Sequence, residues 1–311
     1  MLASVRTSDA HLTELASHLI VAGGKRLRPV LTVVAAAAGD ARPVWETTVD
    51  DIVLGGVACE LVHLGSLYHD DVMDESPTRR GVETVNARWG NLQAILAGDF
   101  LLARASEIAA SLGTEVAGLL ARTIGWLCEG QIEELRHTYD PTRAEDSYLR
   151  SIRGKTASLY ATSARIGGLV TGLPADRVEA LTAFGDAYGM LFQIVDDILD
   201  LTSTDDKLGK PAGHDMVAGV YTLPVLRTLS AGGADAERLH AMLGAPLDDA
   251  GRTEALAIVR RGDGVGATLD VAGDFVASAV TALDDLGEGP ALDALRAAPA
   301  ALLSSVLSPT G

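Results

Sequence analysis

The sequence predicts an all-α fold. Apolar residues recur at helical rather than alternating spacing. Aromatic residues make up only 4% of the chain while Ala, Leu, Gly and Val abound, and no segment reads as a period-two strand. Apolar residues are 48% of 311, ample for a core, and no linker marks a boundary. A single domain over 1–311 is therefore expected: a bundle of roughly ten or more helices around a central cavity.

The formal charge of −17 argues against a nucleic-acid ligand and against a generally cationic membrane-binding surface. An anionic ligand must then meet local cations. Cys59 and Cys128, with no secretory leader before Met1-Leu2-Ala3, point to the reducing cytoplasm. No uninterrupted apolar run reaches the length of a membrane span.

Asp9 caps a first helix carrying Leu12, Leu15, Leu19 and Ile20, which stops at Gly23-Gly24. GGKRLRP follows, with Lys25, Arg26 and Arg28 ahead of Pro29, a residue suited to a helix's first turn. Exposed amides and three cations there make a candidate anion site, set against the plainer reading of a basic surface turn.

After a loop at 39–43, a long helix from about 49 to 75 carries ELVHLGSLYHDDVMDE. Asp70 and Asp74 fall on one face, with Asp71 beside them. Neighbouring carboxylates repel unless a divalent cation sits between them, and hard oxygen donors suit Mg²⁺, which keeps waters and shares phosphate oxygens. Arg79 and Arg80 follow, able to neutralise the other oxygens of a diphosphate. His63, seven residues before Asp70, points nearly the same way.

Helical periodicity continues over about 92–112 and 116–137, where Glu129, Gln131, Glu133 and Glu134 read as a solvated face in preference to one turned toward the cavity. A loop at 139–146 contains Pro141. Lys155-Thr156 then opens a small-residue helix, placing a cation and a hydroxyl for phosphate near its first turn; GxxxxGK is absent, so this is no P-loop. A long helix over about 175–201 repeats the acidic group as Asp196, Asp197 and Asp200, behind Gln193. One DDxxD in an acidic chain usually means a solvated helix end. A second copy at the same spacing points instead to two clusters clamping one diphosphate through bridging metals. The polar loop 202–213 brings Lys207 and Lys210, able to swing over an anion, set against the plainer reading of a lysine-rich solvent loop. Short helices at about 223–229, 235–243 and 253–259, and longer ones at 267–286 and 291–307, the last kinked or split at Pro299, read as scaffold.

GGKRLRP, HxxxxxxDDxxD followed by RRG, GKT, and FQxxDDxxD followed by GKPxGxD together resemble the trans-isoprenyl diphosphate synthases, in particular the bacterial polyprenyl diphosphate synthases. They occur in that family's order over about 23–224. The resemblance implies condensation of isopentenyl diphosphate with an allylic diphosphate, about three Mg²⁺ per active site, and a homodimer, with a second polypeptide left open. Carried over by position, Asp70, Asp74 and Asp196 resemble direct Mg²⁺ ligands, with Asp71, Asp197 and Asp200 bonded to metal waters. Lys25, Arg28, His63 and Arg80 look like the isopentenyl diphosphate site, and Arg79, Lys155, Thr156, Gln193 and Lys210 like contacts to the allylic diphosphate.

Two departures stand out: Val220 in GVYTLP replaces a lysine of many relatives, and little chain precedes the first helix, implying a weakened dimer contact or a different start. The growing product is expected along the helix face leading away from Asp70, past Ser66, Gly65, Val62, Ala58 and Gly55, about 16 Å of stripe with no aromatic residue. That predicts a long-chain product, released at the membrane surface. The competing readings are a short-chain farnesyl or geranylgeranyl diphosphate synthase, a class I terpene cyclase, and a non-catalytic partner subunit or acidic scaffold. A cyclase would have no reason to keep Lys25, Arg28 and His63.

Overall fold

The computed structural model describes residues 1–38, 49–202 and 212–307, which are helical almost throughout. They group into two compact units, one of Met1–Ile124 with Thr162–Thr182, the other of Gly125–Ala161 with Ala183–Gly311.

In the first unit, α1 (Ala10–Val21) starts as expected, the Asp9 carboxylate accepting from the amides of His11 and Leu12 at 2.9 and 3.0 Å. α2 (Leu27–Ala37) takes Pro29 into its first turn and begins from Arg26 in the left-handed conformation, φ 52°. α3 (Val49–Met73) is the unit's central helix: Cys59, Leu61, Leu64 and Tyr68 are all buried, and α2 and α5 (Asn91–Ser111) pack against it. Gly65 makes the α3–α5 approach possible, since a Cβ there would lie 3.1 Å from the Gly98 carbonyl and from Leu102 Cγ.

A small hairpin interrupts the helices, a feature the sequence periodicity did not announce. Thr78–Arg79 pairs with Val82–Glu83, Arg79 opposite Val82. The loop residues Arg80 and Gly81 both have positive φ, 54° and 78°, the type I′ geometry that suits two-residue hairpins. Strands this short carry no alternation signal, and the turn chemistry alone creates them. α4 (Val85–Trp89) follows, capped by Thr84.

α6 (Thr114–Arg136) leads toward α7 (Glu145–Ile152), which runs through a π turn, Arg153–Ala157, straight into α8 (Ser158–Val170). Lys155-Thr156 therefore lies inside a continuous helical path rather than at a helix start. The expectation that this pair opens a new helix is corrected accordingly. Single π turns inside α-helices mark functional positions often enough to matter here. The turn is seated by backbone contact: a Cβ at Gly130 of α6 would fall 2.4 Å from the Lys155 amide nitrogen, and one at Gly189 of α9 (Ala175–Thr202) 2.5 Å from Ala157 Cα.

The rest of the second unit comprises α10 (His214–Val217), α11 (Leu223–Ser230), α12 (Gly233–Met242), α13 (Asp249–Arg261), α14 (Gly264–Thr281) and α15 (Pro290–Leu307), the last unbroken with Pro299 inside it. Its core gathers Tyr148, Met190, Ile194, Tyr221, Leu239 and Ile258, with Phe275 and Leu302 packed against it. Two stretches, Val49–Met73 and Gly264–Leu286, are long and apolar enough to cross a membrane by length and composition; 67% of the first window is buried within the protein and 17% of the second.

Two glycines of α6 should respond oppositely to alanine. Gly130→Ala forces a methyl into the π turn's backbone and should cost about 1–3 kcal/mol, whereas Gly125, with nothing within 4 Å of its Cβ direction, should gain roughly 0.5–1 kcal/mol from helix propensity. Urea denaturation midpoints that move the same way for both would refute this packing.

Candidate active site

In the first unit, the α1–α2 turn, the C-terminal half of α3 and the hairpin bring cationic side chains around His63. Burial, then the charges of Arg28, Arg80, Arg79 and Arg26, hold its imidazole well below the ordinary pKa, so it is neutral at physiological pH. Arg80 is half-buried; its Nη1 donates to the carbonyls of Gly23 and, at 3.2 Å, Leu19. Its guanidinium lies where a side chain on Gly24 would go, 2.8 Å from that Cβ position. Burial and the neighbouring Arg26 lower its pKa, with Glu60 opposing.

Two of the four arginines are balanced by buried carboxylates. Arg26 Nη1 donates to Glu60 Oε1 at 2.6 Å and Arg79 Nε to Asp71 Oδ1 at 2.5 Å; Glu60 and Asp71 are each 2% exposed. Burial raises the Asp71 pKa and Arg79 opposes the rise. Asp71 is thus turned inward onto the hairpin, while Asp70 is half-buried, Asp74 exposed and Lys25 exposed. The Glu60–Arg26 pair escaped the sequence reading. Its signal was an acid in an apolar stretch one turn before His63.

Along the expected product stripe, two glycines are occupied by helix packing. Ala58 and Val62 are fully buried, Ser66 donates its hydroxyl to the His63 carbonyl, and a Cβ at Gly55 would lie 2.6 Å from Ile166 Cγ2. Gly55 against Ile166 and Gly65 against Gly98 are therefore helix contacts. Freedom from aromatics does not by itself open a channel, because neighbouring helices close onto small residues.

In the second unit, the Thr156 hydroxyl donates to Gln193 Oε1 (2.8 Å), Gln193 Nε2 donates to Asp197 Oδ1 (2.8 Å), and the Tyr148 hydroxyl donates to Asp197 Oδ2 (2.5 Å). Asp197 is 2% exposed; burial, then the Asp215 charge, push its pKa well above the ordinary carboxylate value while both donors oppose. Asp196, the next residue, is exposed. Asp200 is buried and accepts from the Asp215 amide at 3.4 Å. Lys155 Nζ pairs with Glu134 at 2.7 Å, and Glu133 pairs with Arg150 at 3.0 Å. The solvated-face reading of Glu133 and Glu134 is therefore corrected: both are half-buried pairing partners. Sequence reading missed Tyr148 altogether. Lys207 and Lys210 lie outside the described residues.

Among the described residues no three His, Cys, Asp or Glu side chains are gathered into a ready-made metal cage. Asp70 with Asp74, and Asp196, are instead the less buried acids of their clusters. Within each unit, one or two such carboxylates suit a hard cation that completes its shell with water and phosphate oxygens.

His63 makes stability pH-dependent with a definite sign. Its folded pKa is depressed, so below about pH 6.5 the unfolded chain binds a proton that the folded chain refuses, and stability falls on acidification by up to about 1.4 kcal/mol per pH unit. The raised pKa values of Asp71 and Asp197 act in the opposite sense and cancel when two variants are compared. His63→Gln should therefore lose less stability than the parent between pH 6.5 and about pH 5. Parallel stability curves over that interval would contradict the neutral imidazole.

The Polyprenyl synthetase family model matches residues 9–259. The nonaprenyl diphosphate synthase of Mycobacterium tuberculosis is 41% identical over 94% of this chain and 86% of its own. Component 2 of the heptaprenyl diphosphate synthase of Geobacillus stearothermophilus is 40% identical over 94% and 89%. A polyprenyl synthase of Caulobacter crescentus, crystallised with calcium and isoprenyl diphosphate, superposes with a TM-score of 0.90 at 33% identity, covering 97% of this chain and 92% of its own. With its motifs in order and its helices in that fold, this chain belongs to the polyprenyl synthetase family.

Proposed function

We propose that the chain is a trans-polyprenyl diphosphate synthase. It adds isopentenyl diphosphate to an allylic diphosphate in successive head-to-tail 1'-4 condensations and makes a long-chain product. The observation that carries this is the arginine ring around a neutral His63. An enzyme that only ionises one allylic diphosphate needs no such second anion site. The names of the nonaprenyl and heptaprenyl relatives support the long product.

In this reading Lys25, Arg28, Arg80 and His63 hold isopentenyl diphosphate, the imidazole hydrogen-bonding without adding charge. Lys155, Thr156, Gln193, Lys210 and Arg79 bind the allylic diphosphate. Asp70, Asp74 and Asp196 would hold Mg²⁺, which when bound supplies the charge that stabilises the departing diphosphate; the calcium bound by the Caulobacter crescentus relative supports a hard divalent ion. The apolar helices keep water from the allylic cation, which would otherwise be trapped as an alcohol. The released diphosphate accepts the last proton, so no catalytic His or Glu is required. We assign the work to a cytoplasmic homodimer that releases product at the membrane surface, with a second polypeptide as the alternative that the name of the component 2 relative supports.

The purified chain alone, given Mg²⁺, isopentenyl diphosphate and each allylic primer in turn, should yield dephosphorylated products longer than geranylgeraniol by mass spectrometry. Geranylgeraniol or farnesol as the end product would favour the short-chain reading. Chelation should abolish turnover, and Asp70→Ala or Asp196→Ala should each lower kcat about 100-fold or more. Undiminished turnover in either folded variant would sink the assignment.

A further inference from the structure

Tyr148 sits in α7 with its ring fully buried among Ile152, Ala157 and Ile194. Packing alone would be served equally by Phe. Its hydroxyl nevertheless donates to Asp197 Oδ2 at 2.5 Å, while the other carboxylate oxygen accepts from Gln193 and Gln193 in turn accepts from Thr156. Arg143, itself buried, stands 5.7 Å from the phenol ring and anchors to Ser151 Oγ at 2.6 Å, so the tyrosine is braced from the side of α7.

Asp196 and Asp197 are successive residues on α9, about 100° apart around the helix. Fixing the azimuth of one therefore fixes the other. We propose that Tyr148 is a positioning residue for prenyl transfer: by holding Asp197 it sets the rotation of the acidic end of α9, presenting Asp196 outward and orienting Gln193 and Thr156 for the allylic diphosphate. Tyr148 itself touches no reacting atom. The inference rests on the reading above that Asp196, Gln193 and Thr156 serve the allylic diphosphate.

The full chain, Tyr148→Phe, Asp197→Asn and the double variant should be compared by steady-state kinetics and by calorimetric titration of inorganic diphosphate with Mg²⁺. Tyr148→Phe should lower kcat about 10-fold, raise the allylic KM several-fold and weaken diphosphate binding about 5-fold, leaving the isopentenyl diphosphate KM within about twofold. In the Asp197→Asn background the same change should add less than about twofold, because the tyrosine acts through that carboxylate. Unchanged kinetics and binding in Tyr148→Phe, equal losses for both substrates alongside a lowered melting temperature, or multiplicative effects in the double variant would each overturn the proposal. Should the parent transfer no prenyl group, the functional reading falls, and the diphosphate titrations alone decide the positioning claim.

Discussion

Buried carboxylates are the constraint on which the functional geometry depends. Four guanidiniums around one imidazole repel each other, and such a group persists only if part of its charge is cancelled nearby. Glu60 and Asp71 do this for the first unit, each removed from water and each bonded to one arginine. Breaking a buried ion pair typically costs about 3–5 kcal/mol because the surviving charge is stranded. These acids therefore fix where the arginines stand more firmly than any surface pair would. Asp197 does the corresponding work in the second unit with neutral donors, Tyr148 and Gln193.

The backbone contributes in proportion. Arg26 and Arg80 both occupy the left-handed region that side-chain-bearing residues avoid. Strain of that kind, on the order of 1–3 kcal/mol per residue, persists where surrounding contacts over-determine it. Here the contacts are the Glu60 pair for Arg26 and the Gly23 and Leu19 carbonyls for Arg80. The π turn does the equivalent for Thr156, which it carries to within 2.8 Å of Gln193 on another helix.

Much of this was legible in the sequence. Asp9 as a cap, the long helix through Asp70 and the helix through Asp196 follow from periodicity and turn residues. What escaped was whatever depends on a partner distant in sequence. Spacing alone already says that Asp70 and Asp71 diverge, but only the hairpin reveals that Asp71 is the inward one. Glu134 reads as solvent-facing until α7 and the π turn bring Lys155 against it. Gly55 and Gly65 look vacant in a list of small residues, and neighbouring helices pack against both.

The hairpin has an implication for length variation. Arg79 and Arg80 are consecutive, yet one engages Asp71 and the other the carbonyls of Leu19 in α1 and Gly23 just beyond it. A single inserted or deleted residue between Pro77 and Thr84 would shift the pairing and invert the faces. Each guanidinium would then be offered to its neighbour's partner. Size polymorphism in this loop would thus rewire the anion site, and the spacing from acidic helix to arginine turn should be among the least negotiable distances along the chain.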